Sequence, residues 1–141
     1  MSHQSKSSHT NFVVSPYLTA KDVDSAANFY QKAFLFNLSE LKKGEDGSGI
    51  HGELNFQDQL IMIGKEGVYE SPLQSPITSG IASPITLCVY CEDVDKFYKE
   101  ALDHGAQSVS APENMFWGYR MCRLQDLDNY TWCFMTPLRD V

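Results

Sequence analysis

The chain repeats itself at half its length. Ser15-Pro-Tyr-Leu-Thr-Ala-Lys-Asp22-Val-Asp24 and Thr86-Leu-Cys-Val-Tyr-Cys-Glu-Asp93-Val-Asp95 share a short apolar segment followed by Asp-Val-Asp. The two anchors lie 93 − 22 = 71 positions apart in a chain of 141 residues. The same offset relates two helix faces. Val23, Ala26, Ala27 and Tyr30, and then Val94, Phe97, Tyr98 and Ala101, stand at i, i+3, i+4 and i+7, one stripe of an α-helix. Asp22 and Asp93 precede these stripes as N-caps, whose carboxylates accept bonds from the free first-turn amides. Gly105, after Leu102-Asp103-His104, is a helix stop. Three strand-like segments follow each helix. They are Phe36–Leu41, Ile50–Phe56 and Leu60–Gly64 in the first half, and Gln107–Ser110, Trp117–Gln125 and Thr131–Met135 in the second. Each half therefore reads β-α-β-β-β, an α+β pattern. The expected organisation is a flexible tail over 1–11, a first module over 12–67, a linker rich in Pro, Ser and Gly over 68–83, a second module over 84–137, and a tail over 138–141.

Charge narrows the partners. Eleven Lys and Arg against 18 Asp and Glu leave a net charge of −7. A basic field for nucleic acid or anionic lipid is missing. No apolar stretch approaches the ~18 residues of a membrane helix. Met1–Thr10 lacks the apolar centre of a secretion signal, so the expected location is the cytoplasm. Cys88, Cys91, Cys122 and Cys133 then read as free thiols. Cys88 and Cys91 are three apart, which puts them on opposite faces of one central strand and not in a redox or zinc pair.

Pro16-Tyr-Leu18, Asp22 with Phe29-Tyr30, and the block Phe116-Trp-Gly-Tyr-Arg-Met-Cys-Arg-Leu-Gln-Asp126 followed by Trp132 carry a family likeness. With them the chain resembles the vicinal oxygen chelate superfamily, which includes glyoxalase I, bleomycin-resistance proteins, fosfomycin-resistance enzymes and extradiol dioxygenases. The likeness covers roughly Phe12–Pro137, and the last block is similar to the glyoxalase-like branch named after phosphonate operons. The resemblance implies two tandem βαβββ modules forming a cupped mixed sheet with helices on the outside. It also implies a small-molecule ligand in the cup, often a metal, and a homodimer, since many relatives complete the site across a two-fold axis.

Strand alternation predicts which side chains enter that cup. Gly52, Leu54, Phe56, Leu124, Trp132 and Phe134 suit the helix-packed face. His51, Glu53 and Asn55, then Tyr119, Met121 and Arg123, then Thr131, Cys133 and Met135 take the other. The resemblance places Ser15 and Thr86 at the first-strand metal positions, Cys133 where the usual last-strand Glu stands, and Met62 at its counterpart. None is the His or Glu the pattern calls for, and Ser, Thr and Met are poor donors for Ni²⁺, Zn²⁺ or Fe²⁺. The usual metal centre is therefore expected to be absent, and no other cofactor is implied. His51 and Glu53 are either an acid–base pair in the pocket, part of a relocated metal site, or the polar outer face of an edge strand. Arg123 is either a grip for an anion or a surface hairpin residue. Tyr17, Trp117 and Tyr119 either stack on a planar ligand or simply pack. Met121 and Cys133 complete the candidate lining. Arg120 is one parity off and reads as outward, and His104 complements the negative end of a helix. Gly44–Gly49 lacks the Lys-Ser/Thr of a phosphate loop and reads as a hairpin loop. The functional expectation is binding of a small organic ligand, anionic or aromatic, without metal. The alternative is a divergent metal-dependent lyase, isomerase or dioxygenase whose ligands are His51, Glu53 and Cys133.

Overall fold

The computed structural model describes residues 14–138. The first module comprises β1 (Tyr17–Ala20), α1 (Val23–Ala33), β2 (Asn37–Lys43), β3 (Gly49–Phe56) and β4 (Gln59–Lys65). The second comprises β5 (Leu87–Tyr90), α2 (Val94–Asp103), β6 (Gln107–Asn114), β7 (Tyr119–Gln125) and β8 (Thr131–Pro137). Between them lie a 3-10 turn over Val68–Glu70 and one helical turn over Pro76–Ser79. The expected N-terminal tail with His3 and His9 lies outside the described residues, as does the expected C-terminal tail beyond Leu138.

Both helices begin as the Asp-Val-Asp repeat predicts. Asp22 accepts from the Ser25 amide at 3.0 Å and Asp93 from the Lys96 amide at 3.1 Å. Gly105 ends α2 with φ +106°, a left-handed value that glycine adopts without a Cβ clash. His104 stands at that helix end, its Nδ1 donating to the Glu100 carbonyl at 2.9 Å.

Each module builds its own four-stranded mixed sheet, ordered β1-β4-β3-β2 and β5-β8-β7-β6. In each, the first strand runs parallel to the last, and the others pair as antiparallel hairpins. The repeat survives in the register: Tyr17 pairs with Met62, and Cys88 with Cys133. Two expectations change. β5 is an edge strand of its sheet and not a central one, because β8 takes the position beside it. Trp117 is not in β7: Gly118 turns the chain at φ +97°, and the strand starts at Tyr119.

One apolar core spans both modules. α1 buries Val23, Ala26, Ala27, Phe29, Tyr30 and Ala33, and α2 buries Val94, Phe97 and Ala101. Phe34 joins them, its ring centroid 4.8 Å from Phe134, 5.5 Å from Trp132 and 6.0 Å from Phe97. Leu54, Leu124, Trp132 and Phe134 face this core as alternation predicts. The helix-packed faces of the two sheets thus converge, and their other faces are turned away from the shared core.

Polar groups lock the seam. Asp126 is buried in the β7–β8 turn and accepts four hydrogen bonds. Trp132 Nε1 donates at 2.8 Å, the Asp128 and Tyr130 amides each at 3.0 Å, and the fourth donor is the Tyr30 phenol of α1. Burial raises the Tyr30 phenol well above its ordinary value, with Asp126 adding to the rise, so Tyr30 stays the donor. Two residues on, Asp128 accepts from the Lys21 amide at 2.9 Å, and Tyr130 Oη bridges the Thr19 amide and carbonyl at 3.0 and 3.1 Å. The turn of the second module is thereby stitched onto the first strand of the first.

Tyr30→Phe keeps the ring and deletes one donor from a buried carboxylate. A hydrogen bond to a charged group contributes about 1.5–3 kcal/mol, so the variant should lose stability in that range in urea unfolding. Asp128 carries a pH signature. Burial, reinforced by the Asp126 and Glu66 carboxylates, pushes it from 3.8 up to about 6, against the lowering effect of the Lys21 amide. Between those values the folded chain holds a proton that the unfolded chain releases, so stability falls as pH rises from about 4 to about 6. Above that window the cost is complete. Asp128→Asn retains an oxygen acceptor and removes the charge. It should gain roughly 2–3 kcal/mol at pH 7.5 and lessen the fall between about pH 4 and pH 6, measured by urea unfolding across pH.

Candidate functional site

The open face of the first sheet is built by register. Tyr17, Met62 and Glu53 form one cross-strand row, and Thr19, Gly64, His51 and Lys42 form the next. A Cβ at Gly64 would stand 2.7 Å from Tyr17 Cε1 and 3.0 Å from its hydroxyl. With no side chain there, the Tyr17 ring lies across β4 and reaches β3. Its hydroxyl is 2.9 Å from His51 Nδ1, and His51 Nε2 is 3.0 Å from Glu53 Oε2. An ionised carboxylate only accepts hydrogen bonds, so Nε2 carries the imidazole proton. In the neutral imidazole Nδ1 is then the acceptor and the Tyr17 phenol donates to it. The His51 and Glu53 side chains are mostly sheltered, 19% and 23% exposed.

Beside this chain lies a cavity of about 560 Å³, in the size range of small-molecule sites. Tyr17, His51 and Gly64 form part of its lining, together with Lys42, Lys65 and Tyr69. Lys42 sits 3.7 Å from Glu40, and Lys65 donates to Ser48 Oγ at 3.3 Å. Both are loose contacts that leave cationic charge beside the cavity. Val68, Tyr69 and Leu73, from the segment after β4, add apolar wall. The lining includes no residue of the second sheet.

The other sequence candidates share the open face of the second sheet. Cys88, Cys133 and Arg123 form one row, Tyr90, Met135 and Met121 the next, and Tyr119 opens β7. Cys133 and Met121 are buried, and Arg123 is half-buried. Burial and the neighbouring Cys88 thiol push Cys133 up to about 11, although Arg123 acts the other way. The Tyr90 and Tyr119 rings are 5.7 Å apart. Trp117 stays in the β6–β7 connection, edge-on to Phe116 at 4.8 Å. Arg120 points away from this row and grips Asp95 of α2, Nε to Oδ2 at 2.8 Å and Nη2 to Oδ1 at 2.9 Å.

The candidates therefore divide between two faces, with Tyr17, His51 and Glu53 on one and Tyr119, Met121, Arg123 and Cys133 on the other. The repeat makes the rows equivalent. Glu53 stands beside Met62 where Arg123 stands beside Cys133, and His51 occupies the counterpart of Met121. Ser15 and Thr86 precede β1 and β5, and the strand residues beside Met62 and Cys133 are Tyr17 and Cys88. Those positions supply two aliphatic hydroxyls, a phenol, a thioether and two thiols. This donor set does not fit a site for Ni²⁺, Zn²⁺ or Fe²⁺ of the kind the resemblance implies. Among the described residues, no three His, Cys, Asp or Glu side chains group as ligands. Gly64, Lys42 and Lys65 were missed by the sequence reading. Gly64 carried a usable signal, since glycine inside a strand marks close approach of another group.

Comparison with known proteins agrees with this architecture. The chain belongs to the glyoxalase/bleomycin resistance protein/dioxygenase superfamily, whose family model matches residues 7–134. An uncharacterized protein of Mycobacterium bovis is 32% identical over 132 residues, covering 91% of this chain and 85% of its own. A Mycobacterium tuberculosis protein, also uncharacterized, matches at 32% over 132 residues, with 76% of its own length covered. Among solved structures, TioX from Micromonospora sp. ML1 superposes with a TM-score of 0.73 at 22% identity, covering 91% of this chain and 100% of that one. A bleomycin resistance determinant encoded on transposon Tn5 gives 0.64 at 24% identity, covering 90% and 98%. At such identities these structures show the shared fold.

Thiol reactivity follows exposure and thiolate character. Cys88 is exposed, whereas burial pushes Cys122 up to about 12 and Cys133 up to about 11. Brief alkylation of the native protein at pH 7.5 should modify Cys88 first. Cys122 and Cys133 should react only after unfolding, as read by peptide mass spectrometry.

Proposed function

We propose that this protein binds a small organic anion with planar or aromatic character, without the metal centre of its enzymatic relatives. One observation carries this reading: the Tyr17–His51–Glu53 chain lies beside a cavity that also has Lys42 and Lys65 in its lining. An anion is attracted by the lysines, and a planar group has Tyr17 and Tyr69 to stack against. Both ring nitrogens of His51 are engaged by neighbours, which speaks against the alternative role of His51 as a relocated metal ligand.

The reading extends to a homodimer. The first-sheet face of one chain would meet the second-sheet face of the other, adding Arg123, Tyr119 and Met121 to the pocket. The acidic Glu53 row and the basic Arg123 row suit such a pairing, as do Tyr17 and Tyr90, each more than half exposed. The net charge of −7 supports a small-molecule ligand over nucleic acid or anionic lipid. Among the described residues no helix is long and apolar enough to cross a membrane. Four free thiols suit a cytoplasmic location. The Trp117-Gly118-Tyr119-Arg120 stretch with Asp126 and Trp132 supports membership of the phosphonate-operon branch. The Asp126–Trp132 bond gives two of those positions a structural reason.

Protein prepared without a histidine tag should gain thermal stability saturably with aromatic carboxylates such as phenylpyruvate. Excess chelator should leave the gain intact. A saturable rise with Ni²⁺, Zn²⁺, Mn²⁺ or Fe²⁺ that chelator reverses would instead establish the metal-dependent alternative. Equilibrium sedimentation should give twice the chain mass of 15.9 kDa. Arg123→Ala should weaken phenylpyruvate binding by about tenfold, the size of one charge-assisted contact.

A further inference from the structure

Sulfur collects on one face of the second sheet. The chain has four Cys and five Met. Of these, Cys88, Cys133, Met135 and Met121 occupy two adjacent rows of that face. We propose that Cys88 and Cys133, joined by a thioether from Met121 or Met135, bind one cuprous ion. The site differs in ligands and in ion from the metal centre of the enzymatic relatives. It goes beyond the ligand-binding reading, which rests on the first-sheet cavity, and does not depend on it.

Register sets the geometry. Cys88 pairs with Cys133 across β5 and β8, and strand alternation sends both side chains to the same side of the sheet. Adjacent strands lie about 4.8 Å apart, close to the span of two metal–thiolate bonds of about 2.3 Å each. Met135 and Met121 form the next row, about 6.6 Å further along the strands. Methionine is unbranched with three rotatable bonds, so its sulfur can lean back over that interval. Cys133 and Met121 are buried, whereas Cys88 is exposed. The two rows form a sheltered sulfur floor that is entered at Cys88.

The donor chemistry selects the ion. A structural zinc site closes with four Cys, His or carboxylate ligands, and an iron–sulfur cluster takes four thiolates. Here two thiols share the face, and among the described residues no third His, Cys, Asp or Glu groups with them. Thiolate and thioether together are the soft donors that suit Cu(I). The charge agrees. The two thiols release two protons to water and bind Cu⁺ as thiolates, which leaves the site at −1. Arg123 of β7 stands beside Cys133 and supplies the balancing charge. It already lowers the Cys133 thiol against the rise that burial and Cys88 impose. With Zn²⁺ the same two thiolates would be neutral, and the arginine would balance nothing.

The duplication supplies an internal comparison. On the first sheet the positions of the four sulfurs are held by Tyr17, Met62, Gly64 and His51. The soft set therefore belongs to one half and not to the repeated fold. The other two thiols lie outside it. Cys122 is in the apolar core, and Cys91 Sγ is 3.9 Å from Thr136 Oγ1.

Reduced protein without a histidine tag is titrated anaerobically with the Cu(I)–acetonitrile complex against bathocuproine disulfonate, a coloured competitor. One Cu(I) per chain should be withheld from the competitor. Cys88→Ser and Cys133→Ser should each weaken Cu(I) binding by on the order of 100-fold or more, beyond the loss usual for groups outside the ligand set. Arg123→Gln should weaken it by about tenfold. The double variant Met121→Leu with Met135→Leu should also bind more weakly, and Cys91→Ser should bind as the wild type does. Cys88 is exposed, so Cys88→Ser carries the test if Cys133→Ser does not fold. X-ray absorption at the copper edge should show sulfur neighbours, and excess Zn²⁺ should leave the copper in place. Unchanged Cu(I) affinity in Cys88→Ser overturns the site. A loss in Cys91→Ser equal to that in Cys88→Ser shows adventitious thiol binding only and overturns it as well. Displacement by Zn²⁺ overturns the choice of ion. Phenylpyruvate should stabilise Cys88→Ser as it does the wild type, so the copper site and the ligand-binding reading fail separately.

Discussion

The buried Asp126 carboxylate is the constraint on which the relation between the two modules depends. A carboxylate removed from water costs several kcal/mol unless its lone pairs are occupied. Here two local amides, an indole N–H from the adjacent strand and a phenol from the other module's helix occupy them. The first three acceptances could be met within one hairpin. The Tyr30 bond cannot, since it forms only when α1 of the first module packs on the second sheet. An apolar seam tolerates sliding, but this bond requires one position. Tyr130 and Asp128 then extend the same turn onto Thr19 and Lys21, beside the strand that carries Tyr17.

That coupling links fold to site. β1 has four residues and one strand neighbour in its sheet, β4. Across the seam it is also bonded to the second module's turn, through Thr19 and Tyr130. The position of Tyr17 is set on one side by pairing with Met62 and on the other by the stitching at Thr19. The Tyr17–His51–Glu53 chain lies entirely on the first sheet, yet its first member is held partly by the second module. The helix-packed faces of the duplicated units have converged on one aromatic core, while their open faces have diverged. One carries tyrosine, histidine and glutamate. The other carries a thiol, a thioether and an arginine, Cys88, Met121 and Arg123, at the equivalent positions.

The fold was largely legible because its determinants are local and periodic. The Asp-Val-Asp anchors specify helix starts through bonds that span three residues. The stripes after them specify which helix face is buried, and strand alternation put His51 with Glu53, and Arg123 with Cys133, on the faces where the structure has them. The misplacements were also physical. Trp117 looked like strand until Gly118 turned the chain. β5 looked central because it is apolar, but a parallel neighbour on one side and the core on its inner face meet the same requirement. Periodicity brought His51 and Glu53 together. It could not bring Tyr17, 34 residues away, onto His51, because that contact depends on β4 pairing in parallel with β1 and on an empty position at Gly64.

The amino-acid sequence by itself determined the duplication, the two helices, the succession of strands along each half and the side of each strand that packs. All of these follow from spacing and capping within a few residues. Tertiary structure alone decided how the halves join and which side chains share a cavity. It separated one list of candidates into two faces, turned Asp126 from a turn residue into the anchor of the seam, and ordered Tyr17, His51 and Glu53 into one hydrogen-bonded chain. Those outcomes rest on register between strands distant in sequence and on a buried bond between modules, and no local pattern encodes either.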